Sequence, residues 1–314
     1  MKISKIIFAL MTLALAACDD PLTEPVNFEV KIAEAENIRI AADGTITAPT
    51  GTQLTFNFSG EPDFISFSCD LFNATTSELS FSSLLGWNND NDSSLQLFIS
   101  DSFTGLAKDD TQADSIAICT HEWKNISDEC AFPTLRNETK TSVVPLDEYK
   151  GKTITLSFRY KTLSNSGFQP MWTISDLQID NKVVKTGESA IKIAAAAMGF
   201  SPFDMFKVSA GEAYNTATSG SGIWDTSVPA SLRIRQSAAG KELNEDWLIS
   251  RPITLPNGKL ETGEAIAIKN TTDRVTSYSH VFDEDGEYTV RFKAANYNYK
   301  SHSNVERTFR IIIE

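Results

Sequence analysis

From Phe28 onward one pattern recurs along the whole chain. Short runs alternate apolar and polar residues or cluster β-branched ones, and Gly, Asn, Asp and Pro separate them. Alternation with a period of two puts every second side chain on one face of a strand, so such runs bury one face and wet the other. Phe28-Glu29-Val30-Lys31-Ile32, Gln53 to Phe58, Phe64 to Phe67, Leu95 to Ile99, Thr153 to Tyr160, Trp172 to Ile179, Ser231 to Arg235, Tyr288 to Lys293 and Thr308 to Ile313 all read this way. Helical spacing is missing apart from a turn or two around Ala194 to Phe206. Many short strands with turn residues between them predict an all-β chain built of antiparallel sandwiches. At 314 residues the length suits about two domains.

The first segment reads as an address. Lys2 and Lys5 precede an apolar run from Ile6 to Ala17 broken only by Thr12. That run is too short to cross roughly 30 Å of hydrocarbon, so residues 1–17 are expected to be a secretory signal peptide. Leu15-Ala16-Ala17-Cys18 resembles a bacterial lipobox. Small residues there admit the peptidase, and the Cys18 thiol takes a diacylglyceryl group, so the resemblance implies a lipid-anchored protein. Residues 18–26 then serve as a tether. Asp19 and Asp20 directly after Cys18 resemble the surface-export signal of Bacteroidota-type lipoproteins. An aspartate there resembles, in enterobacteria, an inner-membrane retention signal. The expected location is the cell envelope, as an outer-membrane lipoprotein exposed at the surface. With 28 basic against 41 acidic residues the net charge is −13, which disfavours nucleic acid as a partner.

Two distant segments share a family look. Residues 27–70, with Asn57-Phe58-Ser59-Gly60-Glu61-Pro62-Asp63-Phe64-Ile65, resemble the opening strands of a PKD-like, immunoglobulin-type sandwich. Residues 259–314 resemble its closing half, through the hairpin Ser279-His280-Val281-Phe282-Asp283-Glu284-Asp285-Gly286-Glu287-Tyr288-Thr289-Val290. Gly286 is expected to take the positive-φ turn position while Tyr288 and Val290 face the core. Residues 71–258 then form an insertion. Leu95 to Gly105, Trp172 to Asp180 and Asp246 to Leu255 in it resemble the jelly-roll, choice-of-anchor type of β-sandwich. The whole arrangement resembles Bacteroides-type surface lipoproteins of unknown function, often encoded near Sus-type glycan-uptake systems. That resemblance implies a polysaccharide ligand and SusC/SusD-like proteins as partners. Ser68-Cys69-Asp70 departs from it, since members more often carry a glycine there.

Candidate chemistry is sparse. Cys119 and Cys130 lie eleven apart, and an oxidising exported compartment favours their pairing as a disulfide. Cys69 is expected to be a buried thiol. A metal site with His121 lacks the close-set ligand pairs of zinc sites. His121, His280 and His302 have no G-x-S-x-G elbow to serve, and no catalytic residue is assigned. Asn88 to Ser93 reads as an Asx-rich turn, with structural calcium as the alternative, and Asp109 to Asp114 as a solvated loop. Aromatic residues offer the best route to function. Trp172 and Trp247 sit in apolar strand patterns and belong in the core. Trp87 and Trp224 lie in loop-like contexts suited to stacking on a sugar ring. Asn88, Asp90 and Asp225 beside them would bond hydroxyls, and Tyr297 and Tyr299 form a third candidate. The reading is a non-catalytic glycan-binding or accessory lipoprotein. The alternatives are a structural or adhesive protein-binding lipoprotein and, third, a polysaccharide hydrolase using a carboxylate pair.

Overall fold

The computed structural model describes residues 26–87, 93–215, 220–297 and 302–314. The chain forms two compact units, one comprising the residues up to Asn73 together with Leu260–Glu314, the other Ala74–Lys259. The sequence pattern put the corresponding limits at 70 and 259. The fold is all-β and sandwich-like. No helix among the described residues is long and apolar enough to cross a membrane.

In the split unit, Gln53–Ser59 is flanked antiparallel by Glu29–Ile32 and Ser277–Val281. A second set of strands is organised by the hairpin Gly286–Tyr297 and His302–Ile313. Residues 64–72 of the strand Phe64–Gly86 pair with the outer side of Gly286–Tyr297. Ile46–Ala48 adds in parallel to Ile311–Ile313. Alternation decides what faces inward: Leu54 and Phe56 from one set and Tyr288, Val290, Phe292 and Ala294 from the other are buried. Phe56 and Phe67 pack on Phe292 at 5.0 and 5.4 Å between ring centroids. Each such buried ring contributes roughly 1.5–3 kcal/mol. Gly286 has a φ of +154° and opens its strand against Leu71, whose side chain fills the space a Cβ would need. His280 sits between Phe67 and Phe282, at 5.0 and 4.7 Å. Burial lowers its pKa.

In the continuous unit, residues 75–86 of Phe64–Gly86 pair with Met171–Val183 on one side and Glu138–Pro145 on the other. Ser231–Ile234 and Ser189–Ala194 extend the Met171–Val183 edge. The facing sheet runs Ser201–Asp204, Glu245–Ile249, Thr153–Lys161, Leu95–Ser100, Lys124–Asn125. Phe81, Leu97, Phe158, Trp172, Ile174 and Leu248 fill the space between them. Trp172 donates its Nε1–H to Ser94 Oγ at 2.9 Å, which satisfies its one polar atom. The opposite face of the second sheet carries Phe98, Phe203, Trp247 and Ile249 in a separate apolar cluster that includes Ile118.

Ile118 belongs to a helix, Thr111–Thr120, and this corrects the reading of Asp109 to Asp114 as a solvated loop. Asp110 is the helix N-cap, accepting from the N–H groups of Gln112 and Ala113, both at 3.0 Å. Asp114 is buried and accepts from Ala107 N at 2.9 Å, Lys108 N at 2.8 Å and the Tyr214 hydroxyl. Burial works to raise its pKa, but those hydrogen bonds outweigh burial and hold it below the usual carboxylate range. Asp110 and Asp114, four apart, look alike on paper, yet only Asp114 is buried.

Candidate ligand-binding site

Trp87 follows the last residue of the strand Phe64–Gly86, and its φ of +43° is a left-handed conformation that a bulky side chain rarely holds. Before it, Gly86 has the Met171 methyl group in the space a Cβ would take. The register on both sides is fixed: Gly86 pairs with Met171, and Leu85 pairs with Glu138 and Trp172. Asn137, the residue before Glu138–Pro145, is also left-handed at φ +61° and donates its N–H to Leu85 O at 2.6 Å. That turn carries Arg136 over Trp87, with Cζ 4.8 Å from the ring centroid. Phe168, three residues before Met171–Val183, brings its ring to 6.2 Å from Trp87 at 56°.

Three segments therefore deliver an indole, a guanidinium and a phenyl ring to one end of the same group of strands. Trp87 is 47% exposed and Phe168 55%. Leu135 and Leu163 are exposed as well. A cation on an indole face contributes about 0.5–1 kcal/mol at such a site, so Arg136 orients the ring without burying it. Arg136 and Phe168 were not singled out from sequence. Phe168 had a signal, an aromatic residue set among Ser166, Gly167 and Pro170, where a core side chain is not expected.

Other expected site residues fall differently. Trp224 is 1% exposed and lies in the core with Trp172, which overturns its reading as a loop platform. Gly222, at φ +66°, returns the chain so that Trp224 pairs with Ile234. Asp225 is occupied locally by the Ser227 hydroxyl at 2.6 Å and N–H at 3.0 Å, and the hydroxyl bond first of all lowers its pKa. Tyr297, in the split unit, is 56% exposed, stacked on His302 at 6.0 Å and edge-on to Phe64 at 5.6 Å. Cys18, Asn88, Asp90 and Tyr299 lie outside the described residues.

Cys119 and Cys130 are unpaired, as is Cys69, and this corrects the expected disulfide. Cys119 is exposed on the helix whose buried Ile118 joins the outer cluster, whereas Cys130 packs against the main core. Burial pushes the Cys130 thiol up to about 12. Short spacing in sequence does not bring the two sulfurs together when each follows a different apolar cluster.

Two polar pairs near the outer apolar cluster are engaged as follows. Ser100 Oγ lies 2.7 Å from His121 Nε2, but the same oxygen accepts from Ser102 N at 3.1 Å and Phe103 N at 3.0 Å, so it is a turn-closing hydroxyl. Asp204 and Asp246 are directly opposed in adjacent strands. Asp246 is 3% exposed. No group of three or more His, Cys, Asp or Glu suited to a metal occurs among the described residues.

A family comparison matches residues 17–200, more than half of the chain, and so covers Trp87, Arg136 and Phe168 together. The chain belongs to the family described as Domain of unknown function (DUF5017). No curated protein and no solved structure matches it. Within the DUF5017 match lie the strands that set up the exposed indole, whereas Trp224, Asp225 and Tyr297 lie beyond its limit.

Proposed function

We propose that this DUF5017 protein is a lipid-anchored, surface-exposed glycan-binding protein, non-catalytic, serving an outer-membrane polysaccharide-uptake system beside SusC/SusD-like partners. One observation carries the reading: Trp87 keeps a left-handed backbone and an exposed indole held by Arg136, with Phe168 beside it. Backbone strain of this kind costs about 1–3 kcal/mol, and exposing the ring forgoes a comparable burial gain. A sugar ring stacked on the two aromatic faces recovers the apolar contact, while hydroxyls bond polar neighbours. Cys18 acylation supplies the anchor, which raises the local concentration of captured polymer at the membrane. The split unit reads as PKD-like and the continuous unit as a jelly-roll sandwich. The paired hairpin Gly286–Tyr297 with His302–Ile313 supports the former, and the two opposed antiparallel sheets support the latter.

Affinity electrophoresis against a panel of plant and host polysaccharides tests it. Retardation by a glycan that Trp87→Ala abolishes is the expected result; no retardation by any polymer overturns it. The exposed side chains of Leu135 and Leu163 favour a second reading, an adhesive surface for a protein. Co-purification of a defined envelope protein that Trp87→Ala releases, without glycan binding, selects that reading.

A further inference from the structure

A pocket of about 160 Å³ in the continuous unit is built by the chain around Thr104 to Lys108, by Gly199 and Ser201, and by Ile249 to Pro252. Its charged lining residues are Lys108 and Arg251, both cationic. Neither lies within ion-pair distance of a carboxylate among the described residues, although the chain carries a net charge of −13. Two cations lining one pocket of an acidic protein raise the local potential there, with the Lys108 charge partly offset by the Asp114 carboxylate. Each is held in place. Lys108 adopts a left-handed φ of +68° because its N–H and that of Ala107 are drawn to the buried Asp114 carboxylate, at 2.8 and 2.9 Å. Arg251 donates its backbone N–H to Met198 O at 2.9 Å. Its side chain lies across Gly199, where a Cβ would come 3.1 Å from Arg251 Cδ. Ser250 Oγ accepts from Leu156 N and donates to Arg251 O, both at 2.9 Å, which fixes the turn. Thr104 and Ser201 also line the pocket. Nearby acids are otherwise engaged: Asp110 caps its helix, and Asp114 accepts its three donors. Asp109 is adjacent in sequence and does not line the pocket.

We infer that this pocket is a binding site for a compact oxyanion, a sulfate or carboxylate group, held by Arg251 and Lys108 with hydroxyl donors from Thr104 and Ser201. Guanidinium and ammonium donors to such oxygens make the short, charge-assisted hydrogen bonds that a neutral sugar hydroxyl cannot match. The group comes from a substituted saccharide or from the free anion, and the chemistry is the same for both. The site stands independently of stacking at Trp87.

Isothermal titration of the whole protein at constant ionic strength tests the inference with sodium sulfate, glucuronate and glucose 6-sulfate, and with glucose as the neutral comparison. Saturable binding of at least one anion and none of glucose is expected. Arg251→Gln and Lys108→Gln should each weaken it about tenfold or more. Gly199→Ala, which keeps both charges but crowds the Arg251 stem, should weaken it as well. Both residues to be neutralised are exposed, so thermal unfolding of the variants should match that of the parent chain. Tighter binding of glucose 6-sulfate or glucuronate than of sulfate assigns the group to a saccharide, and the reverse assigns the free anion. No saturable binding of any of the anions, or undiminished binding by both Gln variants, overturns the site. Either result leaves the Trp87 reading untouched, because Trp87→Ala is not expected to alter the anion titration.

Discussion

The core and the rim of the continuous unit leave opposite things unsatisfied. In the core, apolar burial is complete while polar atoms go without partners: Trp224 Nε1 and Asp246 Oδ2 are both buried with no hydrogen bond. At the rim, apolar surface and backbone strain are left over: Trp87 and Lys108 are exposed in left-handed conformations, and Phe168 is uncovered. An unpaired buried donor costs about 1–3 kcal/mol and is tolerated where the surrounding ring packing returns more. The uncovered part of the Trp87 indole gains nothing from folding and is left open to contact. The two regions thus separate groups that maintain the fold from groups open to binding.

The sharpest way to break that division is to truncate both tryptophans. Trp224→Ala should destabilise the unit by about 3–5 kcal/mol, because it opens a cavity in the main core. Trp87→Ala should change stability by under about 1 kcal/mol, losing only a cation–π contact and half-covered surface. Urea unfolding followed by circular dichroism measures both, and equal losses would dissolve the distinction.

A smaller effect concerns Asp246. Burial first, then the facing Asp204, raises its pKa well above the ordinary value, with Glu245 acting in the same direction and Lys207 opposing. A carboxyl whose folded pKa is raised contributes fully below its unfolded pKa, near 3.9, and that contribution is lost as pH climbs through the folded value. Asp246→Asn removes the charge but keeps the shape. Stability measured from about pH 5 to about pH 9 should therefore fall more steeply in the parent chain than in Asp246→Asn. Parallel pH profiles for the two proteins would refute the assignment.

The smallest effect lies with the thiols. Cys119 at the rim should react with a thiol reagent in the native state, whereas Cys130, with its pKa pushed up to about 12, should react only on unfolding. Reductant should leave the melting temperature unchanged. Protection of Cys119 that a reductant relieves would restore the disulfide.

Much of the architecture was legible because strand formation writes itself locally. Period-two alternation in Gln53 to Phe58 and in Tyr288 to Lys293 names the inward face before any partner is known, and Leu54, Phe56, Tyr288, Val290 and Phe292 occupy it. The helix Thr111–Thr120 was missed because its apolar face is narrow, with Asp114 and Ile118 as its buried residues. At the candidate site, Trp87 was legible as a tryptophan outside a strand pattern, and so was Trp224. What separated them was not in either local sequence.

The sequence alone determined an all-β chain and which side of most strands is apolar, since side-chain direction along an extended backbone needs no tertiary information. It also carried the lipobox-like Cys18 and the acidic balance. Only the tertiary structure decided that Trp224 returns to pair with Ile234 while Trp87 stays exposed under Arg136. It likewise decided that Cys119 and Cys130 part company, and that Lys108 and Arg251 meet at one pocket. Each of these depends on which distant segments pack together, and packing is set by the register and closure of whole sheets rather than by neighbours in the chain.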